Sequence, residues 1–257
     1  HKIPSLQKKS LWPQQTHSRR MLVLEGCAQS VATPETNAAS ARVLNHLGIE
    51  LMTADKAGCC GAVSHHLSAP EEGLGFMRRN IDAWWPYIEQ GVEAIITTAS
   101  GCGVVVKDYG HLLKHDNDYA EKAKRVSELA KDIGEVLHKE DLSKKTLKPG
   151  YGKVAFHSPC TLQHGQQLNG VVESILKRAG FTLTQVADPH LCCGSAGTYS
   201  ILQAELSQQL LNNKLSALTQ EQPDVIATAN IGCQMHMASK ANIPVKHWIE
   251  LLDEAMV

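Results

Sequence analysis

An excess of one charge is missing from this sequence. Its 25 Lys and Arg nearly balance 26 Asp and Glu, leaving a formal charge of −1. Neither a nucleic-acid partner nor an acidic disordered tail is therefore expected. Long apolar runs are missing too. The longest, such as Met21–Leu24 and Ala94–Ile96, fall far short of the ~20 residues that span a bilayer. No charged-then-apolar start resembles a secretory signal. There is no Cys-x-x-Cys knuckle, and no phosphate loop, dinucleotide fingerprint or Ser/His/Asp arrangement is convincing. What remains is the composition of a folded protein, 43% hydrophobic and 20% charged over 257 residues, large enough to bury a core without crosslinks. The first residue is His rather than Met, from which a piece of a longer or processed polypeptide is expected.

Against that background the eight cysteines stand out. A tripeptide occurs twice, Cys59-Cys60-Gly61 and Cys192-Cys193-Gly194, each with one cysteine upstream (Cys27, Cys160) and one downstream (Cys102, Cys233). The offsets 160−27, 192−59 and 193−60 are all 133, and 233−102 is 131. The pattern implies a duplicated module that presents four thiols to one site in each copy. A disulfide framework is disfavoured, because a chain this long has no need of one and adjacent cysteines pair poorly. Four thiolates suit either a tetrahedral zinc ion or an iron–sulfur cluster. Adjacent cysteines pointing to different irons favour the cluster, with zinc left open. The glycine after each pair permits positive φ and close backbone approach, and Gly101 and Gly232, each just before a cysteine, invite the same expectation. His65, His66 and His157 are candidates for tuning a site or carrying protons. His236, in Cys233-Gln-Met-His236, is a weaker ligand candidate, and Gly194-Ser195-Ala196-Gly197 a weak anion-binding one.

Between the cysteines the chain alternates short apolar strands with helices, which predicts βαβ units and parallel sheet, an α/β fold with the cysteine-bearing loops at the strand carboxyl ends. Strands are expected at Met21–Leu24, Ile49–Met52, Glu93–Thr98, Lys153–Phe156, Phe181–Val186 and Asp224–Thr228, with a short strand and a helix over Val245–Met256. Thr33-Pro34-Glu35 reads as a capped helix start, and that helix and a later one through Val171–Leu176 stop at Gly48 and Gly180. Long helices are expected over Pro70–Glu89, where Trp84 and Trp85 pack, and over Ser200–Leu218, with Asn213 lying 133 past Asn80. The stretch Val104–His138 reads as helical, with Val126, Leu129, Ile133 and Leu137 on one face. Residues 1–20 read as a linker, 21–148 as the first module and 149–257 as the second, divided at Pro149-Gly150-Tyr151-Gly152.

Two copies of Cys…Cys-Cys-Gly…Cys resemble the cysteine-rich CCG domain of heterodisulfide reductase-type redox subunits. The words Leu24-Glu25-Gly26-Cys27-Ala28-Gln29, Ala57-Gly58-Cys59-Cys60-Gly61-Ala62, Asn80-Ile81-Asp82-Ala83-Trp84-Trp85, Thr98-Ala99-Ser100-Gly101-Cys102-Gly103, Leu191-Cys192-Cys193-Gly194-Ser195-Ala196-Gly197 and Thr228-Ala229-Asn230-Ile231-Gly232-Cys233-Gln234 are similar to the iron–sulfur subunits of bacterial glycolate oxidases. That resemblance implies an electron-transfer subunit in a cytoplasmic, peripherally membrane-associated complex, with FAD on partner subunits that oxidise glycolate to glyoxylate. A membrane quinone or the respiratory chain would accept the electrons. The family also carries two ferredoxin-type cysteine motifs ahead of the duplicated part, and these are absent here. Its full pattern ends in Cys-x-x-Cys, whereas this chain has Ala99 and Asn230 at the first position of that pair. Four thiols per copy then imply an ordinary [4Fe-4S] cubane held by Cys27, Cys59, Cys60 and Cys102, and by Cys160, Cys192, Cys193 and Cys233, with zinc an alternative in one copy. Two other functions stand beside this one: a zinc-stabilised docking module for the flavoprotein, and the equivalent subunit of a lactate or glycerol 3-phosphate dehydrogenase.

Overall fold

Parallel pairing needs crossover connections, which the helices between these strands of three to five residues supply, and a parallel sheet needs cover on both faces. The structure, a computed structural model, describes residues 12–256 apart from Thr146 and Pro149. The expected linker over 1–11 and Pro149 of the expected boundary lie outside the described residues. Packing divides the chain into two compact units, one ending at Ile133 and the other beginning at Gly134.

The first unit holds β1 (Arg19–Val23), β2 (Ile49–Met52), β3 (Ile95–Thr97) and β4 (Ala130–Asp132). They form one sheet in the order β2-β1-β3-β4, every pair parallel. Leu22 and Ile95 from the sheet pack with Met77, Ile81 and Trp84 of the Pro70–Glu89 helix and with Tyr109 and Val126, all fully buried. Each such side chain contributes roughly 1.5–3 kcal/mol on burial. The second unit holds β5 (Val154–His157), β6 (Val225–Thr228) and β7 (Val245–His247), again all parallel, in the order β5-β6-β7. Ala155 and Ile226 of this sheet pack with Leu211, Leu218 and Met237. Among the described residues no helix is long and apolar enough to cross a membrane.

The duplicated α/β plan of the sequence is thus present, with local differences. Phe181–Val186 is not a strand: Leu183 alone bridges Val154, through Val154 N–H to the Thr182 carbonyl at 2.9 Å and Thr184 N–H to the Val154 carbonyl at 3.0 Å. It stands where β2 stands in the first sheet. The helical stretch expected over Val104–His138 contains β4, which pairs with β3 from Ala130 to Asp132. The residues on either side, Val126, Leu129, Ile133 and Leu137, are all buried, so continuous burial imitated one helix face. The helix expected over Ser200–Leu218 is two helices, Tyr199–Leu202 and Ala204–Thr219, broken at Gln203. Regular strand within Glu93–Thr98 is limited to β3. Arg19 and Arg20, expected in the linker, open β1, and the Arg19 guanidinium grips Glu93 with hydrogen bonds of 2.9–3.1 Å.

Helix ends follow the sequence more closely. Pro34 and Glu35 open the helix Pro34–His46, but the Thr33 hydroxyl does not cap it. The Thr33 N–H closes the preceding turn on the Gln29 carbonyl, holding Thr33 at φ −140°, ψ 61° rather than in the extended form a cap requires. Gly48 and Gly180 end their helices in the left-handed region, at φ +75° and +88°. Trp84 is fully buried and stacked on Tyr109 at 6.4 Å. Trp85 is half-buried, donating to Glu89 beneath the Lys122 ammonium.

Candidate metal centre

All eight cysteines are free thiols, and six of them follow the carboxyl ends of strands. Cys27 follows β1, Cys59 and Cys60 follow β2, and Cys102 lies in the first turn of the helix Ser100–Lys107 after β3. In the second unit Cys160 follows β5, and Cys233 lies in the first turn of Ile231–Ala238 after β6. Cys192 and Cys193 sit on the irregular stretch after Leu183. The topology therefore gathers each set of four at one sheet end.

In the first set the Cys27 thiol donates to Cys59 Sγ at 3.6 Å. Cys60 hydrogen-bonds to both Cys102 and Cys59, which closes the series of four. Accepting from Cys27 and Cys60 pulls the Cys59 thiol down to about 2. Donating to Cys59, together with burial, pushes Cys27 up. Cys60 is raised by its bonds to Cys102 and Cys59, and Cys102 is lowered by its bond from Cys60. The second set repeats the alternation: Cys192 is pulled down to about 2 by Cys160 and Cys193, while those two are raised. The bond from Cys193, with His157 nearby, holds Cys233 down to about 5 against its burial. Thiolate is the ligand form, so a metal bound here would take the place of these shared protons.

The two tripeptides are built alike. Gly61 and Gly194 both have φ +86°. Their N–H groups donate back to Cys59 Sγ at 3.4 Å and Cys192 Sγ at 3.3 Å. A Cβ on Gly61 would lie 2.6 Å from the Gly73 carbonyl oxygen, and one on Gly194 2.4 Å from that of Ser207. Positive φ and a helix backbone pressed against the turn both demand glycine. Gly101 and Gly232 keep negative φ within their helices. Gly232 serves close approach instead, since a Cβ there would stand 2.9 Å from Ser195 Oγ.

The surroundings of the two sets differ. Beside the first, fully buried Asn80 accepts from Gly58 N–H at 2.9 Å and donates to the Cys59 carbonyl at 2.8 Å and to Tyr109 Oη at 3.1 Å. Tyr109 donates in turn to the Cys60 carbonyl at 2.9 Å. Gln29, Asn37 and Thr98 form a second buried polar knot, tied to the Cys27 loop by Asn37 donating to the Glu25 carbonyl at 3.0 Å. Beside the second set, His157 is buried at the end of β5, and its ring nitrogen, Cys193 Sγ and Cys233 Sγ all lie within 4.8 Å of one another. Asn230 caps the Cys233 helix, accepting from Gly232 and Cys233 N–H at 2.9 and 3.4 Å, whereas Ala99 makes no such cap.

The remaining side chains singled out in the sequence make other contacts. His236 meets Ser207 Oγ at 3.1 Å instead of joining the cysteines, and Asn213 is exposed. His65 and His66 sit on the helix Ala62–His66, edge to face at 5.7 Å. Tyr109 and Lys214 went unnoticed in the sequence. Tyr109 stands seven residues after Cys102, the only signal it offered.

Comparison with known proteins agrees with the duplication. The cysteine-rich domain family, CCG, matches residues 21–107 and 154–238. The chain is 58% identical over 244 residues to a protein of Escherichia coli named "Glycolate oxidase iron-sulfur subunit", covering 95% of this chain and 60% of that one. It is 30% identical to a "Probable glycolate oxidase iron-sulfur subunit" of Bacillus subtilis, covering 85% of this chain and 49% of that one. A "Lactate utilization protein A" of Bacillus licheniformis is 26% identical, with 88% of this chain and 96% of that one covered. The chain thus spans about half to three fifths of the length of the first two relatives. In fold it resembles a hypothetical protein of Helicobacter pylori, with a TM-score of 0.62 at 9% identity over 97% of this chain and 51% of that one. The sequence resemblance to the CCG domain therefore holds: the chain belongs to the cysteine-rich CCG family and carries two copies of its domain.

Proposed function

We propose that the chain is the electron-relaying part of the iron–sulfur subunit of a glycolate oxidase complex. The observation that carries this is the gathering of four sulfurs at each of two equivalent sheet ends, in a chain 58% identical to a named iron–sulfur subunit. Cys27, Cys59, Cys60 and Cys102 would hold one cluster and Cys160, Cys192, Cys193 and Cys233 the other, within modules over 21–148 and 149–257. Bound clusters supply one-electron chemistry; of the [4Fe-4S] type, each has room for four thiolates. The chain's own part is to hold the sulfurs, supply backbone N–H donors at Gly61 and Gly194, and exclude water from Cys60 and Cys193, which are 3% and 2% exposed. No side chain here acts on the carbon substrate. FAD-bearing partner subunits would oxidise glycolate to glyoxylate, with a quinone or the respiratory chain as acceptor and the complex peripheral on the cytoplasmic face of the inner membrane.

One observation favours a second reading. The 3.6 Å separation of Cys27 and Cys59 is close to the about 3.8 Å between two sulfurs on one tetrahedral zinc with Zn–S of about 2.3 Å. A four-iron cluster spreads its ligands further. Zinc in one or both sites would make the chain a metal-stabilised docking module. Anaerobic iron, zinc and sulfide analysis with EPR of the dithionite-reduced protein separates the two. Two clusters per chain, reduced to one by the paired change Cys59→Ser/Cys60→Ser or Cys192→Ser/Cys193→Ser, are the expected result. Stoichiometric zinc and no reducible signal would overturn the relay.

A further inference from the structure

The two cysteine sites are copies, yet the helix that packs on each Cys-Cys-Gly turn differs by one step. Gly61 abuts the carbonyl of Gly73, and Gly194 abuts that of Ser207. Seven residues on from these contacts stand Asn80 and Lys214, so the structure superposes Asn80 on Lys214 and Arg79 on Asn213. The pair is swapped. In the first site the buried member is neutral Asn80 and the cation, Arg79, is exposed. In the second the exposed member is neutral Asn213 and the cation, Lys214, is fully buried.

Lys214 Nζ donates to the Pro189 carbonyl at 3.0 Å, on the loop that leads into Cys192. Gln163 donates to the same carbonyl at 3.1 Å. Among the described residues no carboxylate forms an ion pair with Lys214; burial pulls its ammonium below the usual lysine range, and Cys193, Cys233 and Cys192, then exposed Asp188, oppose that pull. The thiols of the second set are thus the main negative charge that bears on this ammonium. A buried cation without a carboxylate is costly unless something negative sits beside it. Resting on the iron–sulfur reading above, we propose that Lys214 gives the cluster held by Cys160, Cys192, Cys193 and Cys233 the higher reduction potential of the two. An added electron there is stabilised by a desolvated positive charge, whereas Arg79 acts through solvent that screens it. At equilibrium an electron would then rest on the second site rather than on the first.

The test is an EPR-monitored redox titration of the iron-loaded protein and its Lys214→Met, Lys214→Arg and Arg79→Gln variants, each also made with Cys59→Ser/Cys60→Ser so that the second cluster is read alone. At the effective dielectric of about 20 found in protein interiors, a unit charge about 12 Å away changes a one-electron equilibrium about tenfold, and a nearer one changes it by more. Lys214→Met should therefore shift the oxidised-to-reduced ratio of the second cluster at least about tenfold, some 59 mV or more downward, and leave the first cluster unmoved. Lys214→Arg should restore the midpoint, and Arg79→Gln should move the first cluster far less. A second-cluster midpoint unchanged by Lys214→Met, or a wild-type second cluster with the lower potential, overturns the proposal while the relay stands. A second site without iron overturns the relay reading and this proposal with it.

Discussion

Replacing Gly61 with alanine tests whether the Cys-Cys-Gly turn is shaped by its helix as well as by its own backbone. At φ +86° an alanine costs about 1–2 kcal/mol from the left-handed conformation alone. The new Cβ would also lie 2.6 Å from the Gly73 oxygen and 3.3 and 3.4 Å from its carbonyl carbon and Cα. These are backbone atoms in a 20-residue helix whose Met77, Ile81 and Trp84 are fully buried, so the helix cannot retreat cheaply. Forcing one methyl into such packing costs a further 1–3 kcal/mol or so. Gly48→Ala is the internal control: φ is +75°, but nothing lies within 4 Å of its Cβ, so only the conformational cost applies. In urea unfolding followed by tryptophan fluorescence, Gly61→Ala should lower stability by about 2–5 kcal/mol, against about 1–2 for Gly48→Ala. With a slope of roughly 1–3 kcal/mol/M, the two midpoints should separate clearly. Equal losses would show that the helix yields, and would refute the claim that this contact helps place Cys59 and Cys60.

Other consequences follow from the polar groups. Asn80→Ala should destabilise the first unit by about 2–4 kcal/mol, because the Gly58 N–H and the Cys59 carbonyl lose their buried partner; chemical denaturation reads this, and a loss below 1 kcal/mol would contradict it. Tyr109→Phe removes the 2.9 Å bond to the Cys60 carbonyl and should cost about 1 kcal/mol while the stack on Trp84 survives in near-ultraviolet circular dichroism. Glu173 carries a carboxyl raised by burial, only partly offset by its own backbone N–H and by Lys177. The folded state then holds a proton that the unfolded state has released, so stability falls as pH rises from the ordinary carboxylate range to the raised value. Glu173→Gln removes that loss, and its advantage in melting temperature over the wild type should grow between pH 4 and pH 8. A pH-independent difference would count against it.

How much was legible depended on whether a feature is local. The strand Ile49–Met52, the helix Pro70–Glu89 and the stops at Gly48 and Gly180 were readable because periodicity, proline and glycine act within a few residues. The eight cysteines were readable because an offset of 133 survives duplication. β4 was hidden because a three-residue strand among buried neighbours has no period of its own. Leu183 bridges as a single residue, and one bridge leaves no alternating pattern in Phe181–Val186. Thr33 looked like a cap from its type and place, but the preceding turn holds its backbone at ψ 61°, away from the extended form a cap requires.

Lys214 escaped for a reason that says more about the molecule. Counting at 133 from the cysteines pairs Asn80 with Asn213, and the shared identity makes that pairing attractive. The contact at the tripeptide glycine shows the spacing from turn to helix longer by one residue in the second copy, 12 from Gly61 to Gly73 and 13 from Gly194 to Ser207. One residue is about 100° of helix, so a helix that kept the alignment at 133 would have left Asn213 in the buried place that Asn80 holds in the first copy. The helix instead kept its seat against the glycine and let the sequence slide, so Asn213 went to solvent and Lys214 took the buried position. Changing the count again tests this directly. Inserting one residue after Gln203, at the break between Tyr199–Leu202 and Ala204–Thr219, should leave the helix seated on Gly194 by Ser207 if tertiary contact sets the register. Crosslinking of a cysteine placed at position 214 or 213 by a thiol reagent would then report which side faces water. Reactivity at 213 and protection at 214 is the expected outcome, and the reverse would mean that the chain count, not the contact, decides which residue lies beside the thiols.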